Sequence, residues 1–465
     1  MAITPFGETQ DFHDFATTYN RLYPDDVLTI NQPLSADQDL TALVDTLAAQ
    51  GRHPMLVCQQ VGGLGVPVVT NVFASRTRIA RLFGVEPAQL HAAFQARANN
   101  PIAPRYVENG PVLDQVFEGE AVDLALLPML KHFDSDRGPY ITNAIIIAED
   151  PVTGVCNMSY HRSMRHARQA LATSLHSRGH LWRMLQAARE RGDELHVAMV
   201  VGAHPLFMLA AAARVPFGSD ERAIAGGLFG APMDLVRTPR YGIGVPANAE
   251  FVLEGAIDPA AYAAEGPFGE FSGYSSDRST NNVLRIDTFM RRRDAWLVDV
   301  MGGRYAEHLT LARLPREAEM SAQLKARFPA VTAVHYPNSG THFHCYVALE
   351  QNRDGEARQI MLALLGWDPY LKTVVAVDSD IDITDDSQVL WALATHFQPH
   401  QDLFIVDGLP GSPLDPSSSA DGTTSRMGLD ATRGSSFDGI RARLDEQVIA
   451  RAQRLLGSYL PGSAK

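Results

Sequence analysis

Two glutamates, Glu265 and Glu270, bracket a Gly-Pro-Phe-Gly turn in the stretch AEGPFGEFSGY at residues 264–274. Paired carboxylates divide acid and base work between them when their environments push their pKa values apart. Their spacing alone does not unite them. On a strand, residues five apart point to opposite faces, and on a helix they lie well apart around the axis. Both reach one site only if the backbone between them bends. Pro267 fixes its own φ and biases Gly266 towards an extended conformation, while Gly266 and Gly269 tolerate angles that other residues avoid. A surface turn carrying two solvated acids is the plain alternative, since Gly-Pro turns with flanking acids are common.

Three further segments offer donor atoms. NMSYHRS begins with Asn157 and contains Arg162, HSRGHLWRML contains His180, and SDERAIAGGLFG contains Glu221. Asparagine oxygen, imidazole nitrogen and carboxylate form a mixed set suited to Mn2+ or Mg2+ rather than to a closed zinc cage. Taken singly, each reads more simply as ordinary structure: an Asn turn, a helix-start His, and a Glu favoured by the dipole at a helix N-terminus. In THFHCYV, His342 and His344 fall on one face of an expected strand and read as a structural pair.

The elements that must position these residues follow from patterning. SADQDLTALVDTLAAQG predicts a helix capped by Ser35 and stopped at Gly51, followed by a strand in HPMLVCQQV and a helix from Ser75 in SRTRIARLFGV. His180 and Glu221 are placed at helix starts. Strand-like runs fill residues 140–300: ITNAIIIAED, HVAMVV, RYGIGV, EFVLEG, NNVLRIDTFMR and DAWLVDVMG. The last third alternates again, with helices in EAEMSAQLKARF, EARQIMLALLG and SQVLWALATHF and strands in THFHCYVALE and KTVVAVDSDI. Residues 408–436 read as a long Pro/Ser/Gly-rich loop, and IRARLDEQVIARAQRLLGSYL as a final amphipathic helix.

The chain of 465 residues has room for two to four domains, and 20% charged with 45% hydrophobic residues is a globular composition. A net charge of −13 argues against a nucleic-acid binder. The three cysteines, Cys58, Cys156 and Cys345, are widely spaced without a CxxC pair, which argues against a disulfide framework or thiolate zinc site. The N-terminus shows no secretory pattern and no apolar run reaches membrane-spanning length, so the expectation is a cytoplasmic protein with no membrane partner. Neither GxxxxGK[ST] nor a GxGxxG after a strand is present, so a bound phosphate would need another source of positive charge.

The order Asn157, Arg162, His180, Glu221, Glu265, Glu270 resembles the UbiD family of decarboxylases, which use prenylated FMN. The resemblance includes N-x-x-x-x-R at 157–162, E-x-x-x-A-G-x-L-x-G at 221–230, and VPANAEFVLEG followed by EGPFGEFSGY. It begins with VPVVTNVFASRTRIARLFG, continues through LKTVVAVDSDIDITDDSQVLWALATH, and ends with LDPSS and GLDATR. Where the family often has Arg and Lys, this chain carries His396 and Arg426.

The resemblance implies an α/β (α+β) fold: an N-terminal α/β domain over 1–110, a central flavin-binding split β-barrel over 111–310, and a C-terminal α/β dimerisation domain over 311–465. It implies that Asn157, His180 and Glu221 hold Mn2+ against the flavin phosphate with K+ nearby, the metal supplying the missing charge. Met158, Ser159, Tyr160, Val215 and Pro216 would line the flavin, and Lys372 would reach the phosphate. Arg162, Glu265 and Glu270 match the family's Glu-Arg-Glu network, with Glu265 paired to Arg162 and Glu270 donating the proton. Candidate pocket residues are His161, His176, Phe271, Arg304 and His308.

The implied activity is reversible non-oxidative decarboxylation of an aromatic, heteroaromatic or α,β-unsaturated carboxylic acid. A UbiX-like flavin prenyltransferase would supply the cofactor, and the protein would be a homodimer or higher oligomer. The alternatives are a non-catalytic cofactor-binding subunit and an ordinary FMN oxidoreductase.

Overall fold

The computed structural model describes residues 6, 8–63, 65–175, 179–350, 353, 355–434 and 437–457. Its centre is an antiparallel sheet whose path runs Tyr140–Ile141, Ser163–Ala167, Ala170–Thr173, Asn282–Arg291, Phe251–Tyr262, Leu195–Val201, Ile145–Glu149 and Cys156–Tyr160. Gln115–Glu118 pairs with Asn282–Arg291 off this path. The apolar runs in Ile145–Glu149, Leu195–Val201 and the first half of Phe251–Tyr262 are nearly continuous because the sheet has a core on each face. Ile145, Ile147, Ala198, Val200 and Val252 enter one core, while Ile146, Ala148, Val197, Met199 and Phe251 enter the other. Successive side chains point to opposite faces, so burying both faces leaves no polar alternation.

Chain connectivity dictates how this sheet curls. Cys156–Tyr160 lies at one edge and Ser163–Ala167 next to the other, yet only His161 and Arg162 join them. Three residue steps span at most about 11 Å, so the two ends must meet. His161 N–H donates to Ala144 O (2.9 Å) and Ser174 N–H to Arg162 O (3.2 Å), stitching the chain across this seam. Arg162 thus sits where a rolled, incompletely bonded sheet comes together.

Three strands that precede it in the chain, Val27–Ile30, Met55–Cys58 and Val68–Thr70, form a four-stranded sheet with Leu297–Val298. The strand expected in DAWLVDVMG is therefore only two residues long, and it leaves the central region to pair in parallel with Val68–Val69. Towards the C-terminus, Val331–His335, His344–Leu349, Thr373–Asp378, Thr423–Ala431 and Leu403–Pro410 form a five-stranded sheet. Mixed α/β architecture is as the sequence predicts.

Local chemistry explains most boundaries. Ser75 caps Arg76–Phe83 by accepting from Arg78 N–H, and Gly84 at φ 65° ends that helix. Three expectations need correction. The helix expected from Ser35 starts at Asp39, because residues 36–38 are tied to Lys131 by two backbone hydrogen bonds and cannot enter a helix. The helix expected near residue 317 begins at Ala306 and runs through Pro315 to Arg327, its packing against the core overriding the lost hydrogen bond. The expected loop 408–436 contains the end of one strand and all of another, Leu403–Pro410 and Thr423–Ala431, since their ladder satisfies the backbone despite weak propensities.

Candidate active site

The 264–274 turn is bent as its two carboxylates require. Gly266 has φ 99° and its bond to Pro267 is cis, rather than leaving Gly266 simply extended. Both acids reach Arg162. Its Nε and Nη2 donate to Glu265 Oε1 and Oε2 at 2.9 and 3.1 Å, and Nη1 donates to Glu270 Oε1. Nη2 also donates to Arg278 O (2.9 Å), and the guanidinium lies 4.7 Å from the Phe268 ring centroid. Glu265 and Glu270 are buried.

This arrangement separates the two acids. Glu265 takes a bidentate fork, the strongest geometry available to a carboxylate and guanidinium. Glu270 meets one nitrogen. Burial raises the Glu270 carboxyl above its ordinary value; Arg162 opposes this, while Glu265 and Asp136 reinforce it. For Arg162, burial works against the charge, but Glu270 and Glu265 outweigh it and hold the guanidinium pKa above its usual value.

Residues 132–140, which the sequence reading passed over, clamp the turn. Asp136 accepts from Gly269 N–H (2.8 Å) through one oxygen and from His132 and Phe133 N–H through the other. Tyr140 Oη accepts from Gly266 N–H (3.1 Å), Arg137 N–H donates to Pro267 O (2.9 Å), and Asn281 Oδ1 accepts from Glu265 N–H (3.0 Å). A Cβ at Gly269 would strike the Phe133 ring, so only glycine permits this approach. The sole sequence signal is the run HFDSDRGPY, polar residues ending on an aromatic, and its partner lies over a hundred residues away.

The second group forms at the other side of the seam. Glu221 opens the helix Glu221–Phe229, which Asp220 caps. Its Oε1 accepts from Asn157 Nδ2 (3.1 Å) and its Oε2 from Met158 N–H (2.9 Å). Burial pushes the Glu221 carboxyl up to about 7. Ser159 Oγ donates to Asn157 Oδ1 (3.1 Å) and lies 2.9 Å from His161 Nε2, while His161 Nδ1 is 3.2 Å from Ser174 O.

His180 does open the helix His180–Arg191, but its ring packs edge-on against Phe217 at 5.3 Å. No hydrogen bond or ion pair links it to Asn157 or Glu221 among the described residues, and no group of three His, Cys, Asp or Glu there is poised to hold a metal. Burial and Arg183 lower the His180 pKa, favouring the neutral imidazole.

The other candidates divide. The Met158 side chain is in the core, so only its backbone faces the Glu221 group. Tyr160 Oη donates to Met208 O (2.9 Å), and Val215 packs on the same core with Pro216 exposed beside it. The Lys372 ammonium is engaged by Asp415 (2.8 Å) and Ser417 (2.6 Å). Arg304 is exposed, His308 Nδ1 is 3.0 Å from Gly303 O, and His176 lies outside the described residues. His342 and His344 do not form a face-sharing pair: the strand starts at His344, and His342 precedes it to pack on Phe271 at 4.3 Å. His396 and Arg426 meet backbone carbonyls, a structural role.

Comparison with known proteins decides the identity. Residues 23–98, 105–305 and 309–431 match, respectively, the N-terminal, Rift-related and C-terminal domain models of 3-octaprenyl-4-hydroxybenzoate carboxy-lyase. The chain belongs to the UbiD family. It is 35% identical to anhydromevalonate phosphate decarboxylase of Aeropyrum pernix, over 87% of this chain and 90% of that one. The UbiD-class enzyme HmfF from Pelotomaculum thermopropionicum, solved with FMN, superposes with a TM-score of 0.89 at 32% identity, covering 96% of this chain and 99% of that one. Klebsiella pneumoniae 3,4-dihydroxybenzoic acid decarboxylase gives 0.86 at 25% identity, covering 95% and 99%. This UbiD-family protein is accordingly a carboxy-lyase, acting as a decarboxylase.

Proposed function

We propose that this UbiD-family enzyme uses prenylated FMN, with Mn2+ and K+ at the flavin phosphate, to decarboxylate reversibly an aromatic, heteroaromatic or α,β-unsaturated carboxylic acid. The observation that carries the reading is the single Arg162 guanidinium gripping Glu265 and Glu270 across one bent turn. The FMN and prenylated-FMN complexes of HmfF support the flavin. A non-catalytic subunit has no need of this intact network.

The residues present fit the metal. Glu221 is 2% exposed and its partners are amide N–H groups, with no cationic side chain paired to it among the described residues. A buried carboxylate raised to about 7 is stabilised by a dication. Asn157 and Glu221, completed by the neutral imidazole of His180, would hold it. Met158, Ser159, Tyr160, Val215 and Pro216 border this region and would line the flavin, while Lys372 would need to leave Asp415 to reach a phosphate.

Bound prenylated FMN supplies an electron sink for the charge left on carbon as CO2 departs. The chain's own residues handle the proton. Glu265 fixes Arg162 through the fork, and Arg162 in turn aims Glu270. Glu270, whose carboxyl burial raises above its ordinary value, would deliver the proton to the carbon that has lost CO2 and take one back in the carboxylating direction. Tyr140 and Phe268 pack edge-to-face beside the turn, with the Arg162 guanidinium over the Phe268 ring.

A UbiX-like flavin prenyltransferase supplies the cofactor, and cytoplasmic residence suits three buried free thiols. Self-association as a homodimer or higher oligomer covers the apolar residues Leu444, Val448, Ile449 and Leu456, exposed at and before the last helix. Protein made with and without a flavin prenyltransferase, scored for CO2 release on a panel of these acids, tests the function. Activity that appears only with the prenyltransferase is expected; full activity with plain FMN overturns the prenylated-flavin assignment.

A further inference from the structure

Beneath the Glu270 turn lies a set of buried titratable groups that the proton chemistry does not use. His132, Asp299 and Glu307 are each at most 3% exposed. They come from the segment that clamps the turn, the end of strand Leu297–Val298, and the first turn of helix Ala306–Arg327. His132 Nε2 lies 3.1 Å from both Asp299 oxygens, and Thr142 Oγ1 donates to Asp299 Oδ1 (3.2 Å). The Thr70 hydroxyl joins the two acids, 3.3 Å from Asp299 Oδ2 and 3.1 Å from Glu307 Oε2. Glu307 also accepts from the N–H groups of Asn71 (2.8 Å), Phe73 (3.3 Å) and Met301 (3.4 Å). It is paired with no cation among the described residues.

A hydroxyl carries a single hydrogen. Thr70 satisfies two carboxyls only if one of them brings a proton of its own. His132 and Thr142 donate to Asp299 and favour its ionised form, so the proton falls to Glu307. Burial, then Asp299, pushes Glu307 up to about 7, while the Asn71 and Phe73 amides hold it back. Burial works against a charge on His132, but Asp299, Asp136 and Glu307 outweigh it and raise the imidazole pKa. Tyr160 faces Glu307 from the central sheet and Cys58 faces Asp299 from the first sheet, both kept neutral by burial.

This network is tied to the turn on two sides. The N–H groups of His132 and Phe133 hold Asp136, which accepts Gly269 N–H. The loop from Asp299 to Glu307 passes against the turn itself. A Cβ at Gly302 would lie 3.0 Å from Phe268 Cζ and 3.4 Å from Gly269 O, and one at Gly303 2.8 Å from Phe133 Cζ. A shift of Glu307 against Asp299 therefore reaches both supports of Glu270.

We propose that Glu307 is a positioning residue for Glu270: its protonated carboxyl, linked through Thr70 and Asp299 to His132, locks the turn, and its ionisation sets two carboxylates on one hydroxyl and releases it. This rests on Glu270 as the proton donor and adds a remote titration to the same step. The lock is complete well below pH 7 and is lost as pH rises through it.

The test follows amide hydrogen exchange of the peptide 265–274 in flavin-loaded protein carrying Glu270→Gln, so that the turn's own acid is silent. In this background its protection factor should fall about tenfold per pH unit above 7, the linkage of one proton. With Glu307→Gln added, whose amide N–H replaces the carboxyl proton, protection should stay flat over the same range. With Thr70→Val added, it should be about tenfold lower already at pH 6. Exchange in the strand Leu195–Val201 should follow none of these changes. Protection of the turn that is independent of pH, or that falls equally with Glu307→Gln, overturns the lock, as does a loss shared by Leu195–Val201. With Glu270 intact, Thr70→Val should lower kcat for CO2 release by about tenfold at unchanged KM and flavin occupancy; an unchanged kcat overturns the positioning role. Exchange that behaves as expected in an enzyme whose Glu270→Gln variant turns over normally leaves the lock standing and overturns the donor role.

Discussion

Glu265 meets Arg162 through both oxygens, at 2.9 and 3.1 Å, whereas Glu270 meets a single nitrogen. Glu265→Gln therefore removes one side of a fork and leaves a buried guanidinium half-partnered. We expect a rate loss of about 10²-fold or more through misplacement, with an altered absorption spectrum of bound flavin; an unchanged spectrum at full occupancy would assign Glu265 a purely electrostatic part. Glu221 has a pH signature of its own. Its folded-state pKa is raised from 4.5 to about 7 by burial, so its contribution to stability is complete below about pH 4.5 and is lost as pH rises towards 7. Denaturation of metal-free protein should show Glu221→Gln gaining on wild type by the order of 3 kcal/mol between pH 4.5 and 8, and added Mn2+ should erase that gain. These acids were legible in sequence because their order along the chain is distinctive. The asymmetry of their contacts with Arg162 was not, because it depends on residues brought in from elsewhere.

At the scale of elements, the turn owes its shape to residues 132–140 more than to its own glycines and proline. Tyr140→Phe leaves Gly266 N–H without its acceptor, an expected cost of about 1–3 kcal/mol. Gly269→Ala forces a Cβ against Phe133, costing about 1–3 kcal/mol and displacing Glu270. Both variants should bind flavin while losing kcat, Gly269→Ala by tenfold or more; flavin loss as the main effect would mean that the clamp supports the cofactor rather than the acid. Sequence located Glu221 and His180 at helix starts because helix onset is a local matter. It missed the clamp because Asp136 and Gly269 are neighbours only after folding. Ser35 failed as a cap for the same reason, since Lys131 fixes the backbone beside it.

Across the whole molecule, two residues between strands near opposite edges force the central sheet to roll and place Arg162 at its seam. Four of its strands, Ile145–Glu149, Leu195–Val201, Phe251–Tyr262 and Asn282–Arg291, were readable from apolar runs, whereas Cys156–Tyr160, Ser163–Ala167 and Ala170–Thr173, short and in part polar, were not. Nor was the strand order, because a sheet buried on both faces carries no alternation to say which face is which. Leu297–Val298 joining the first sheet, and Leu403–Pro410 pairing with Thr423–Ala431, are likewise set by partners distant in sequence or by a backbone ladder that weak propensities do not announce. The exposed apolar residues near the end of the described chain belong to this scale too. Val448→Asp with Leu456→Asp should lower the assembled mass in sedimentation without loss of flavin, and an unchanged mass would place self-association elsewhere.

The central claim is that Glu270, aimed by Arg162, delivers the proton that completes decarboxylation. Its most direct test is the turnover of Glu270→Gln, compared with wild type at equal flavin occupancy and on an acid the wild type converts. Positioned acid–base catalysis is worth about 10²- to 10⁴-fold, so CO2 release should fall by a factor in that range while the flavin remains bound. Turnover of Glu270→Gln near the wild-type rate, with full cofactor, would contradict the account.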